Sequence, residues 1–144
     1  MVLDLVRRDR LRRRLITWGE WPAVALTFRA TVDQPQRFAR SKMVGAHFGL
    51  VPRRFQSGET DYDGRISKCG DAMMRTALYE AAQVLLTRTQ KWSWLKAWGM
   101  QLARRRGGKK AIVALARRLA VILHRMWIDA TEFRWRKEVN TAAA

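Results

Sequence analysis

From Lys109 to Ile128 the apolar side chains return with the period of an α-helix. Ile112, Leu115, Leu119, Ile122 and Met126 share one face, and Arg117, Arg118, His124 and Arg125 share another. A helix with one apolar stripe has to bury it, and the partners available here are further helices. Residues 72–89 repeat the pattern, with Met74, Leu78, Ala81 and Leu85 inward and Asp71 placed as an N-cap. Residues 92–104 (WSWLKAWGMQLAR) read as a shorter, Trp-rich helix, followed by a basic turn, RRRGGKK, at 104–110. Upstream, residues 22–32 (PAVALTFRATV) read as a helix with Pro22 in its first turn. Asp33 to Pro35 is a turn. Residues 37–48 are an amphipathic helix with Phe38, Met43, Val44 and His47 or Phe48 inward, stopped by Gly49. Residues 2–17 form a basic helix with Leu3, Val6, Leu11 and Leu15 roughly on one side, broken by Gly19 and Pro22. The expectation is a mainly α fold, a small helical bundle, with one interruption.

That interruption is residues 50–70, LVPRRFQSGETDYDGRISKCG. Pro52, Gly58, Gly64 and Gly70 punctuate it, and it has no 3.6-residue period. It reads as one long ordered loop with short extended pieces at Val51–Phe55 and Arg65–Ser67. A loop of that length in a compact domain is functional or disordered, and Phe55, Tyr62 and Ile66 favour an ordered, functional one.

Charge narrows the partners. Lys and Arg total 29 against 12 Asp and Glu, a formal net charge of +17. Solubility alone needs far less. Arg carries most of the excess, and its planar guanidinium matches phosphate oxygens, so the expected partner is nucleic acid, most simply DNA. The most apolar stretch, Ala111 to Ile128, is interrupted by Arg117, Arg118, His124 and Arg125, so no membrane span is expected. Glu20 and Pro22 argue against an export signal after the basic start. One cysteine, Cys69, excludes an internal disulfide and suits a reducing cytoplasm. His47 and His124 have no metal-ligand spacing and read as packing or phosphate-contact residues. Of the seven tryptophans most are expected in packing, although rings interleaved with cations could also stack on bases.

The long loop holds the chemistry worth weighing. Pro52-Arg53-Arg54-Phe55-Gln56-Ser57-Gly58 sets a serine beside a glycine, after two arginines. A serine hydroxyl needs help to act as a nucleophile, and cations stabilise charge developing on a phosphoryl group. Arg65 and Lys68 could clamp neighbouring phosphates. Read from pattern alone, Ser57-Gly58 is first an ordinary turn with basic flanks. Glu59, Asp61 and Asp63 beside these arginines read as salt-bridged rather than metal-binding.

Residues 37–82 resemble the carboxy-terminal domain of the insertion sequence (IS) 116/110/902 family of transposases. The resemblance rests on Arg37-Phe38, Gly49-Leu50-Val51-Pro52-Arg53-Arg54, Phe55, Ser57-Gly58, the run Gly64 to Asp71, and Arg75 with Leu78-Tyr79. It extends more loosely over residues 22 to 128. The resemblance implies that Ser57 attacks the DNA backbone and becomes covalently joined to it. It also implies an amino-terminal RuvC-like domain whose four acidic residues bind Mg2+, a homo-oligomer, and a structured guide RNA. Arg53, Arg54, Arg65, Lys68 and Arg75 are then expected phosphate contacts, with Gly58, Gly64 and Gly70 shaping the loop.

The chain also departs from that pattern. The acidic domain is not in this sequence, so no cofactor is expected here and Mg2+ belongs to the domain that is missing. Before Ala23 the family has a Pro-Gly-x-Gly hairpin, where this chain reads Trp18-Gly19-Glu20-Trp21-Pro22. The expected organisation is a disrupted basic helical leader (1–21), a transposase carboxy-terminal domain (22–128), and a basic tail (129–144) disordered at its end. On this reading the chain is truncated and inactive alone. The alternatives are a non-catalytic nucleic-acid-binding remnant, and a basic amphipathic protein lying on membranes through residues 109–128.

Overall fold

A computed structural model describes residues 22–131, 133, 134 and 136, with Pro22 and residues 54–57 and 60–63 described by their backbone. Five helices and one β-hairpin make up this part of the chain. They are α1 (Pro22–Val32), a 3-10 turn (Pro35–Arg37), α2 (Lys42–His47), β1 (Pro52–Ser57), β2 (Thr60–Ile66), α3 (Ala72–Thr87), α4 (Trp94–Arg106) and α5 (Gly108–Asp129). The expected basic helix over 2–17 and the TAAA tail lie outside the described residues.

The mainly α expectation holds. Helix α5 is the axis of the bundle and packs against α2, α3, α4 and the 3-10 turn, while α1 covers α3. Its apolar stripe is buried at Ile112, Leu115, Leu119 and Met126, with Ile122 half-buried. From α3 come Met74, Leu78, Ala81 and Leu85, all four buried as their spacing predicts. Helices α4 and α5 pack closely because Gly99 faces Leu115: a Cβ at Gly99 would lie 2.6 Å from Leu115 Cδ1. Only Gly107 separates the two helices, so the basic turn foreseen at 104–110 is mostly helical.

Helix starts follow local chemistry. The Asp71 side chain accepts a hydrogen bond from the Met74 amide at 2.7 Å, and Ser93 accepts from the Lys96 amide at 3.1 Å. Each cap supplies an acceptor to a first-turn N–H that has no partner within the helix, worth about 1 kcal/mol.

Three expectations are corrected. The helix foreseen over 37–48 spans only Lys42–His47, preceded by the 3-10 turn. Met43, expected inward, is 51% exposed, while Val44 and Phe48 are buried. His124, placed by its spacing on the charged face, is 2% exposed. Its Nε2 lies 2.8 Å from the Pro35 carbonyl and its Nδ1 lies 2.9 Å from Ser41 Oγ. A carbonyl only accepts, which assigns the proton to Nε2 and leaves Nδ1 to accept from the hydroxyl in the neutral ring. Phe38 closes over the imidazole edge-on at 5.8 Å. Of the tryptophans described by their side chains, Trp94, Trp98 and Trp127 pack against the core and Trp92 is 61% exposed.

Candidate functional site

The segment expected as a loop is an antiparallel β-hairpin. Strand β1 pairs with β2 in the register Arg54↔Asp63, Phe55↔Tyr62, Gln56↔Asp61 and Ser57↔Thr60. The connection is therefore two residues, Gly58-Glu59. Gly58 has φ 56° and a Cβ there would meet nothing within 4 Å. A two-residue hairpin with glycine at its first central position in the left-handed region matches the right-handed twist of its strands.

The register shifts between Pro52↔Ile66 and Arg54↔Asp63. Arg53 alone thus stands opposite two residues, Gly64 and Arg65, which is a β-bulge and gives Gly64 its place. The bulge puts two exposed cations, Arg53 and Arg65, across the ladder from each other. Like charges at such positions destabilise a hairpin by themselves, so the pair suits a bound anion. Lys68, also exposed, continues the same leg with a left-handed φ of 54°. Ser57 occupies the last ladder position before the turn. It is four residues from Arg53, roughly 13 Å along the strand, which is about four nucleotide steps of a DNA strand.

The hairpin is seated on the bundle at its base. The Ser67 amide donates to the Val51 carbonyl at 3.0 Å, and the Lys68 amide to the Gly49 carbonyl at 3.1 Å, carrying the ladder past the strand ends. Arg53 Nη2 donates to the Ser67 carbonyl at 3.1 Å. Gly70, at φ 110°, passes directly against His47, where an added Cβ would collide with the carbonyl oxygen. Gly49 is pressed equally closely on the Cys69 backbone. The second glycine contact was not foreseen in the sequence, where Gly49 reads only as a helix stop.

Arg75 has a different position from the other expected phosphate contacts. It is half-buried on α3, and its Nη1 donates to the Phe48 carbonyl at 3.3 Å and the Lys68 carbonyl at 3.1 Å. The first carbonyl caps the end of α2 and the second lies just past β2, so one guanidinium ties the outgoing leg of the hairpin to α2 and α3. Arg75→Met keeps the aliphatic stem and removes both bonds. It is expected to cost about 2 kcal/mol, in the range of hydrogen bonds to charged groups. It should also speed amide hydrogen exchange at Ser67 and Lys68 more than at Leu115. Equal exchange rates at Ser67 and Lys68 in both proteins would refute the clasp.

The structure thus brings together Arg53, Arg54, Ser57, Gly58, Gly64, Arg65 and Lys68 on one hairpin, and leaves Arg75 beneath it. Among the described residues no three His, Cys, Asp or Glu side chains are grouped so as to hold a metal ion. No described helix is long and apolar enough to cross a membrane.

A basic hairpin with a serine at its last ladder position before the turn stands on a helical bundle. Residues 8–98 match the Transposase IS116/IS110/IS902 family. The chain belongs to this family. It is 42% identical over 104 residues to the transposase for insertion sequence element IS1111A of Coxiella burnetii, covering 69% of this chain and 28% of that protein. It is 34% identical over 120 residues to a probable family 20 transposase of Pseudomonas aeruginosa, covering 82% of this chain and 36% of that protein. A putative transposase of Sinorhizobium fredii, y4rJ, is 39% identical over 92 residues. The chain spans between 23% and 36% of the length of these three relatives.

Proposed function

We propose that this chain acts in DNA transposition as the part of a transposase that grips DNA and carries its serine nucleophile. The observation that supports this most directly is the position of Ser57. It is the final β1 residue before a tight turn, with Arg53, Arg65 and Lys68 exposed along the same hairpin, in a member of a transposase family.

In the proposed step Ser57 Oγ attacks a backbone phosphorus. The hydroxyl proton passes to water, an Oγ–P bond forms, and the P–O bond to one deoxyribose oxygen breaks. That oxygen leaves and takes up a proton. One phosphoester replaces another, so no external energy source is required. Arg53, Arg65 and Lys68 hold the flanking phosphates and stabilise the added negative charge at the pentavalent phosphorus. Arg54, opposite Asp63 in the register, is a further phosphate contact on this reading. The described residues offer no fitting ligand set for the Mg2+ of a RuvC-like domain, so no step of this chain is routed through it. The whole reaction would then need the remaining length of a relative, a guide RNA and more than one copy of the chain.

The test is capture of the covalent adduct. The chain is mixed with the amino-terminal part of a longer relative, its RNA, Mg2+ and end-labelled element DNA, then run on a denaturing gel. Label is expected on the 16.8 kDa chain and absent with Ser57→Ala. An adduct that survives Ser57→Ala would overturn the assignment. Salt-sensitive DNA binding with no adduct at all would favour a nucleic-acid-binding role without cleavage.

A further inference from the structure

A second group of cations lies on the bundle, outside the hairpin. Lys110 and Arg117 are seven residues apart, so two turns of α5 bring them to one face. The stem of Arg117 crosses α2 at Gly45, where an added Cβ would lie 2.9 Å from Arg117 Cγ. Seven residues further along α5, His124 holds Ser41 and the Pro35 carbonyl, so the 35–41 connection lies over the later half of that helix. Helix α2 therefore runs antiparallel to α5, and Arg40 and Lys42 fall in line after Arg117.

All four cations are exposed. Among the described residues none of their charged side-chain ends has a hydrogen bond or ion pair to the protein. Residues 34–48 and 108–128, which build this face, contain no Asp or Glu. Packing accounts for the stem of Arg117, and nothing in the fold accounts for the four charged ends. The line from Lys110 to His124 measures roughly 21 Å at 1.5 Å per residue. That is about six base pairs of duplex DNA at 3.4 Å each. The face carries no exposed Phe, Tyr or Trp, the rings on which single-stranded bases stack, so it suits a duplex backbone.

We infer that Lys110, Arg117, Lys42 and Arg40 form a second DNA-binding face, which takes the phosphate backbone of duplex DNA next to the strand engaged by the hairpin. The inference rests on the reading of the hairpin as the element that grips and cleaves DNA.

Salt dependence tests it. Affinity of the full chain for a fluorescein-labelled 20-base-pair DNA duplex is measured over a series of salt concentrations. Each phosphate contact contributes about 0.9 to the slope of log K against log salt. A Lys42→Gln, Lys110→Gln, Arg117→Gln triple variant should lower that slope by about 2 to 3. Arg104→Gln, Arg105→Gln, Arg106→Gln removes the same charge from the end of α4 and should change it by less than about 1. If the first triple variant fails to fold, the Lys42→Gln, Lys110→Gln double variant should still lower the slope by about 2.

Equal slope losses in the two triple variants would reduce the effect to net charge and overturn the inference. An unchanged slope would overturn it as well. A larger loss on duplex RNA than on duplex DNA would reassign the face to RNA and overturn the DNA assignment. Failure of the hairpin reading shows differently, as the absence of a Ser57-dependent adduct, which the stripe variants do not address.

Discussion

Gly70→Ala is expected to destabilise the chain by about 4 kcal/mol. Two costs add. At φ 110° an L side chain is strained, typically by about 1–3 kcal/mol. The new Cβ also meets the His47 carbonyl oxygen and the Phe48 backbone, and overpacking adds about 1–3 kcal/mol. The neighbour is main chain, so no rotamer change relieves the contact. Either the hairpin base lifts away from α2 or the end of α2 shifts, and both disturb the seat of the hairpin. Thermal unfolding should show a midpoint lower by roughly 10–15 °C. Gly58→Asn is the comparison, since asparagine tolerates the left-handed region and the space around Gly58 is open. Its cost should stay below about 1 kcal/mol. Similar melting of the Gly70→Ala and wild-type proteins would show that the contact at His47 relaxes freely.

The second large effect is expected at His124. His124→Leu keeps an apolar body in the core and removes both polar ends. The buried Pro35 carbonyl then has no donor from the ring, and the Ser41 hydroxyl loses its acceptor. The Pro35 carbonyl keeps the Phe38 amide as a donor at 3.3 Å, so the cost is that of two lost ring hydrogen bonds, about 0.5–1.5 kcal/mol each, and the altered packing against Phe38 adds to it. A loss of about 3 kcal/mol is expected, or a fall of roughly 10 °C in Tm for a chain of this size. Ser41→Ala breaks the weaker half and should cost about 1 kcal/mol. Chemical denaturation measures both. If His124→Leu proves as stable as wild type, the imidazole is filling space and the 35–41 connection is held by other contacts.

His124 also shows where sequence reading stops. The partners that draw it inward are 83 and 89 residues away, and no local period contains them. Seven residues after Arg117, it shares a face with exposed cations and looks polar for that reason. Helices α3 and α5 were legible because their stripes are long and their burial partners are each other. Asp71 was legible as a cap because capping is a contact over three residues. The short α2 is overextended because Met43 and His47, both exposed, complete an apparent amphipathic run, while Val44 and Phe48 are buried and Phe38 packs half-buried on the core from outside the helix.

The hairpin was half visible. The extended pieces around Val51–Phe55 and Arg65–Ser67 were read, but the alternation expected of a strand is broken by charged residues and by the bulge at Gly64-Arg65. Ser57 is singled out by the family pattern and its basic neighbours by their place in the same segment, and the register sets how far apart they stand. Arg75 reads in the sequence as another phosphate contact, and its hold on the Phe48 and Lys68 carbonyls is a further role that no local pattern shows. Its two carbonyl partners, 27 and 7 residues away, meet it only once α3 packs beside the end of α2.

Among the described residues, the links between hairpin and bundle lie at the hairpin's base: Gly49, Gly70, Arg75 and the half-buried Ile66. The open tip at Gly58 contributes little to the core. A heat-denaturation curve therefore reports on the bundle and is almost blind to the turn. A preparation can pass every test of foldedness with an altered tip, so the proposed serine chemistry has to be followed by a binding or adduct assay. By the same separation, variation at the tip can be explored by directed evolution with little toll on solubility or expression.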